Sequence, residues 1–313
     1  MKKYFVLAPA GVKSGGPELC HQMCAAVNSL GREAYIYYAD GNNIAPVDTE
    51  PIEEYQKYET AHVTDLEDLK QENSVFICNE GMTPYGMHVP AGEKLLWWMS
   101  VDNYFKQEHR MSREEIMSVF SYHLAQSEYA RHFLMEEWRV PQDRIIMLSD
   151  YINEEYGRFI LPAANRRDIA LFNPYKGYDA IKPIIDATRD RIQWIPLINM
   201  TRKEVMTCLQ VGKIYVDFGN HPGKDRIPRE AASCGCVVIT NKKGSAAFSE
   251  DVAIPENYKF DNPEMDMEKI KELLYDICSD FETHQNNFEA YRNKIKNEKN
   301  VFYSEVQSLL EII

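Results

Sequence analysis

The stretch from Asp217 to Thr240 reads DFGNHPGKDRIPREAASCGCVVIT. It follows a β-favouring run, Lys213 to Phe218, and passes through a loop that carries His221, Lys224, Asp225 and Arg226. A short helical pattern, Pro228 to Ser233, leads to a second apolar run, Cys236 to Thr240. Strand, charged loop, helix, strand is the unit of a parallel sheet, because parallel neighbours need a crossover connection. Charge gathered between a strand end and a helix start also has a chemical meaning. Two cations beside the positive end of a helix form an anion site, and Glu230, in the first turn, is placed to hydrogen-bond vicinal hydroxyls. The competing reading pairs Arg226 with Glu230 one helical turn away and leaves nothing bound.

The same grammar extends in both directions. Upstream, Asp168 to Phe172 (DIALF) predicts a strand, Tyr178 to Ala187 a helix, Ile192 to Ile198 a strand and Lys203 to Gln210 a helix. Nearer the N-terminus, Lys3 to Pro9 (KYFVLAP) predicts a strand, Pro17 to Leu30 an amphipathic helix stopped by Gly31, and Ala34 to Tyr38 a second strand. Strand patterns recur at Val75 to Cys78, Leu95 to Met99, Leu124 to Ser127 and Arg144 to Leu148, with a helix from Glu128 to Trp138. The expectation is an α/β protein of two Rossmann-like, doubly wound parallel-sheet domains facing across a cleft, spanning 1–150 and 168–265. Between them, 151–167 has no periodicity, contains Pro162 and ends in Arg166 and Arg167, which suits a connector. Residues 266–313 are polar and helix-forming, with apolar spacing at Ile270, Leu273, Leu274 and Ile277.

Composition narrows the function. The chain has 313 residues, 44% hydrophobic and 27% charged, enough apolar material for two ordinary cores. A net charge of −13 disfavours general nucleic-acid binding and tight attachment to anionic lipid, so polyanions must be met by a local basic focus. No run approaches the ~20 apolar residues of a membrane span. Seven cysteines, spaced without the density of a disulfide scaffold, fit a reduced cytoplasmic setting. Cys20, His21 and Cys24, or Cys234 and Cys236, do not complete a tetrahedral metal set, so no metal is expected.

In open α/β sheets ligands lie beyond the carboxyl ends of the strands. Gly15 and Gly16, after the first strand, would let backbone amides approach a phosphate, with Lys13 adding charge; the plain alternative is a tight turn with Pro17 at the first helical position. Lys176 and Gly177 close the strand DIALF, and a lysine there can pair with a diphosphate. Gly244 and Ser245, after CVVIT, supply another close-approach loop.

The segment Pro228 to Thr240 with its Gly-Ser loop resembles the E-A-x-A-x-G-x-P-V-V-A-T … G-G segment of nucleotide-sugar glycosyltransferases of the GT-B fold, and most of all the large retaining family with an E-x7-E motif, glycosyltransferase family 4-like. Gly15 to Glu18 resembles that family's G-G-x-E turn, and Lys176-Gly177 its K-G. The matches fall in the expected order across the whole chain. The resemblance implies that Glu230 binds the donor ribose. The first glutamate of the motif would stand at Pro222, so its contacts would pass to His221, Lys224, Asp225 or Arg226. It also implies an acceptor-reading N-terminal domain with a polar residue near the reacting sugar, for which Glu80 and Asp102 are candidates to orient a hydroxyl or act as base. Trp97, Trp98 and Tyr104 could offer a sugar-stacking face, or fill the core.

The expectation is therefore a glycosyltransferase taking a nucleoside diphosphate sugar and a glycan or lipid-linked acceptor, with retention implied by the resemblance. It would use no cofactor or metal, serve cell-surface polysaccharide synthesis, and touch membranes at most peripherally. A nucleotide-sugar epimerase on the same fold and a non-catalytic GT-B binding partner are the competing readings.

Overall fold

The computed structural model describes residues 2–41 and 43–313. By internal contacts the chain forms two units, Met1–Asp150 with Asn300–Ile313, and Tyr151–Lys299.

The first unit runs β1 (Lys3–Pro9), α1 (Gly15–Ser29), β2 (Glu33–Ala39), β3 (Ser74–Asn79), α2 (Pro84–His88), β4 (Glu93–Trp98), α3 (Val101–Lys106), α4 (Arg113–Val119), β5 (Tyr122–Ala125), α5 (Glu128–His132) and β6 (Ile145–Met147). Its strands pair in the order β2-β1-β3-β4-β5-β6, every pair parallel. Tyr4 to Ala8 are all buried, as expected of a parallel strand covered on both faces. The strand order reverses between β1 and β3, which makes their carboxyl ends this unit's topological switch point.

The second unit runs β7 (Arg167–Phe172), α6 (Tyr178–Thr188), β8 (Gln193–Pro196), α7 (Arg202–Val211), β9 (Gly212–Asp217), α8 (Arg226–Ser233), β10 (Val237–Asn241), β11 (Lys259–Phe260), α9 (Met267–Ser279), α10 (Phe281–Asn286) and α11 (Glu289–Lys296). Its order is β11-β10-β9-β7-β8, again all parallel, with the reversal between β7 and β9. Both sheets are thus doubly wound α/β, as the alternating pattern predicts.

Three local expectations are corrected. Helix α1 begins at Gly15, two residues before Pro17, so Pro17 is not its first residue. The expected helix from Glu128 to Trp138 changes character at Phe133, where residues Phe133–Glu137 widen to a π-helix. The Trp138 amide donates to Phe133 O, and the Trp138 ring meets Trp98 edge-on at 4.9 Å, so the wider turn fits a bulky pair into one aromatic cluster. The end of the expected connector is core structure: Arg167 opens β7, and Arg166, 6% exposed, donates to the carbonyls of Leu209, Gly212 and Cys234. The C-terminal segment divides between the units: residues through Lys299 belong to the second, and α12 (Glu298–Ile312) continues into residues of the first.

Candidate functional site

In the second unit, the loops that leave β7, β9 and β10 meet at the carboxyl edge of the sheet. Gly177 sits at φ +67, a left-handed conformation that strains any side chain, and a Cβ there would lie 2.4 Å from Phe218 C. The turn after β7 can therefore press against the turn after β9. A second lock comes from Gly244, at φ +54, where a Cβ would stand 2.0 Å from His221 O. Ser245 completes it: its amide donates to His221 O at 2.8 Å and its hydroxyl to Gly223 O at 2.6 Å. Asn241 Nδ2 donates to Gly219 O at 2.8 Å, which ties the end of β10 to the same loop.

These locks place Lys176 Nζ 2.8 Å from Asp225 Oδ2. The same Asp225 oxygen lies 3.0 Å from His221 Nδ1, and His221 Nε2 lies 3.8 Å from Asp217 Oδ1, ion-pair distances without well-directed hydrogen bonds. His221 is fully buried. Asp217 in turn accepts from the Tyr215 hydroxyl at 3.0 Å and from the Gly219 amide at 3.1 Å. The charges decide each protonation state. Burial works against a charged imidazole at His221, but the Asp225 and Asp217 carboxylates outweigh it and hold its pKa above the ordinary value. Burial also opposes ionised Asp225, and there His221 and Lys176 win, so its pKa is depressed. Asp217 is raised, because burial exceeds the pull of His221. Asp217, His221 and Asp225 bring their polar side-chain atoms within 4.8 Å of one another, and the positive groups on Asp225 are the Lys176 ammonium at 2.8 Å and the His221 ring at 3.0 Å.

The other expected donor residues divide. Arg226 opens α8 and reaches the Tyr151 carbonyl at 3.4 Å, and Glu230 lies one turn further along the same helix. Lys224 is turned elsewhere: its side chain is only 10% exposed and its ammonium lies 3.1 Å from Glu298. That contact was not readable from the sequence, because Glu298 stands 74 positions away (298 − 224) in a polar helical segment. Asp217 was also passed over, although its position as the last residue of β9 is the signal that would have found it.

In the first unit, the loop after β1 and the residues after β3 flank the switch point. Gly15 and Gly16 open α1 behind an extended Ser14 whose side chain caps no amide. Lys13 is ion-paired with Glu54, and Glu18 is buried against Lys57 Nζ at 3.0 Å and the Tyr58 hydroxyl at 2.9 Å. Glu80, directly after β3, is 6% exposed and accepts from the Met99 amide at 2.9 Å. Burial outweighs that hydrogen bond and raises its pKa to about 7. Asp102, on α3, accepts from the Tyr129 hydroxyl at 2.8 Å. No stacking face exists at the tryptophans: Trp97 and Trp98 are fully buried, Tyr104 nearly so, with Trp97 donating to Leu148 O and Tyr104 to Met111 O. The cysteine clusters are core thiols; Cys20 points at Leu7 O, and His21 is engaged by Thr60 and Tyr38.

Across its whole length the chain superposes on solved glycosyltransferase structures. Sucrose-phosphate synthase from Thermosynechococcus elongatus matches with a TM-score of 0.69 at 12% identity, covering 99% of this chain and 98% of that one. Anabaena Alr3699/HepE, solved in complex with UDP-glucose, matches with a TM-score of 0.69 at 10% identity over 100% of both chains. A glycosyltransferase from Rickettsia africae matches with a TM-score of 0.64 at 13% identity over 98% of each. The fold is that of the GT-B glycosyltransferases. No family model and no curated protein sequence matches the chain. Within the GT-B fold, what this chain does must therefore be argued from its own side chains.

Proposed function

We propose that the protein is a glycosyltransferase that moves a sugar from a nucleoside diphosphate donor to a glycan or related acceptor. The observation that carries this reading is Lys176, held at the switch point of the second unit by a left-handed Gly177, with the start of α8 in the adjoining loop. A lysine beside strand ends and a helix N-terminus suits a small diphosphate, and the placement explains how a chain of net charge −13 can bind one. Glu230 would bind the donor ribose, and Arg226 would share the phosphate charge with Lys176. Lys224, already engaged by Glu298, would shape the loop and make no donor contact. The leaving diphosphate would be stabilised by these fixed charges, without a metal or other cofactor. In the first unit Glu80, with its pKa near neutrality, is the residue best suited to exchange a proton with an acceptor hydroxyl, and Asp102 would orient it. Retention of configuration, a role in cell-surface polysaccharide synthesis and a cytoplasmic setting with peripheral membrane contact complete the proposal.

The test is direct. A panel of UDP-, GDP- and TDP-sugars is screened by thermal stabilisation in EDTA, since a ligand that binds only the folded state raises its apparent stability. One sugar nucleotide should raise the melting temperature of the parent and not of Lys176→Ala or Glu230→Ala. Absence of any stabilising sugar nucleotide, or equal stabilisation of both variants, overturns the donor site.

A further inference from the structure

Lys176 and Asp225 form an unequal pair. The lysine side chain is 33% exposed and the aspartate 15%, so the ammonium is the end that an arriving anion meets, and the carboxylate lies behind it. A buried carboxylate that loses its only cation is strongly destabilised. Asp225 has a second one. Its Oδ2 lies 2.8 Å from Lys176 Nζ and 3.0 Å from His221 Nδ1, and Asp217 backs the far side of that imidazole. The charged groups facing His221 are thus Asp217 from the end of β9, Asp225 at the start of α8 and Lys176 from the turn after β7; the loop after β10 holds the backbone of this turn, through the Ser245 amide on His221 O and the Ser245 hydroxyl on Gly223 O.

We propose that Asp225 is a built-in occupant of the Lys176 anion site and that His221 is the positioning residue that makes it exchangeable. A diphosphate takes the ammonium, and the released carboxylate stays neutralised by His221. The exchange screens donors: a ligand must out-compete a resident carboxylate, which a diphosphate with its higher charge does and a single carboxylate does not. It also assigns a role to the loop in which the resemblance finds Pro222 where a glutamate would stand. This inference rests on the reading of Lys176 as the partner of the donor's diphosphate.

Two measurements on the full chain test it. The first needs no ligand. With His221 in place, Lys176→Met should lower the melting temperature by no more than about 3 °C, because Asp225 keeps one cation; in a His221→Gln background the same change should lower it by about 10 °C. A large drop in the parent background overturns the exchange. The second uses inorganic pyrophosphate and UDP-glucose as calorimetric probes, in EDTA. Asp225→Asn should bind pyrophosphate about tenfold more tightly than the parent, His221→Gln about tenfold more weakly, and the double variant should regain the Asp225→Asn affinity. Equal pyrophosphate affinity in parent and Asp225→Asn overturns the exchange even where UDP-glucose binds. If pyrophosphate shows the expected pattern while UDP-glucose binds no tighter than pyrophosphate, the exchange stands and the sugar-nucleotide reading fails.

Discussion

Arg229 Nη1 lies 2.7 Å from Glu298 Oε2, and the two side chains are 1% and 6% exposed. The same guanidinium donates to the backbone carbonyls of Asp225 and Lys224, so a buried ion pair anchors the loop from behind. Lys224 adds its ammonium to the other Glu298 oxygen. Removing the acid takes from the buried Arg229 guanidinium the carboxylate that lies 2.7 Å away. Glu298→Gln should cost about 3–5 kcal/mol in urea unfolding with the slope unchanged. A loss below ~1 kcal/mol would mean that the guanidinium finds another anion.

Glu80 carries a stability cost with a defined sign. Its pKa is raised from 4.5 to about 7 by burial, so the folded state holds a proton that the unfolded chain has released. The penalty is absent below pH 4.5, grows as pH rises, and is complete above about 7, where it is on the order of 3 kcal/mol. Glu80→Gln keeps an acceptor for the Met99 amide and removes the charge. The variant should be more stable than the parent at pH 8 and equal to it at pH 4, while sugar transfer falls at least a hundredfold. Unchanged turnover would remove Glu80 from the chemistry.

The two sheets were legible because short continuous apolar runs such as KYFVLAP and CVVIT, rich in β-branched or aromatic residues and bounded by glycine turns, suit strands covered on both faces, and because helices alternate with them. The loops were legible for the same reason, as their glycines fall directly after strand ends. What the sequence hides is partnership. Lys13, Lys176 and Lys224 look alike in the chain, yet each meets a different acid, Glu54, Asp225 or Glu298, brought in from elsewhere. Burial is hidden in the same way: Trp97 and Trp98 read equally well as a stacking face or as core, and only the packing of β4 between β3 and β5 decides for core.

Gly177→Ala should damage function more than fold. The substitution meets a positive φ and a 2.4 Å approach to the Phe218 carbonyl carbon at once. Relief requires the turn after β7 to lift from the turn after β9, which moves Lys176 away from Asp225. Expected are a loss of about 1–3 kcal/mol and at least a tenfold weaker donor affinity. Donor affinity equal to that of the parent would show that Lys176 does not depend on this turn.

The first unit should be the acid-sensitive half. His21, hydrogen-bonded to Thr60 and Tyr38, has its pKa lowered to about 4, chiefly by burial against the opposing pull of Glu18. His123 is lowered to about 3 by burial and by Arg144, and the Trp98 indole donates to its Nδ1 at 3.2 Å, leaving no room for a proton on that nitrogen. A histidine held neutral by the fold resists a proton that the unfolded chain accepts from pH 6.5 downward. The histidine contribution in this unit should therefore be full above pH 6.5 and fall as pH drops toward 4, by on the order of 3 kcal/mol from His21 alone, offset in part by the penalty that Glu80 sheds as it takes up its proton. Hydrogen exchange at pH 7.5 and pH 5 reads the two units separately: amides of β1, β4 and β5 should lose protection at the lower pH, and His123→Asn should lessen the loss. Equal protection of those strands at both values would show that the two rings accept protons without breaking the core.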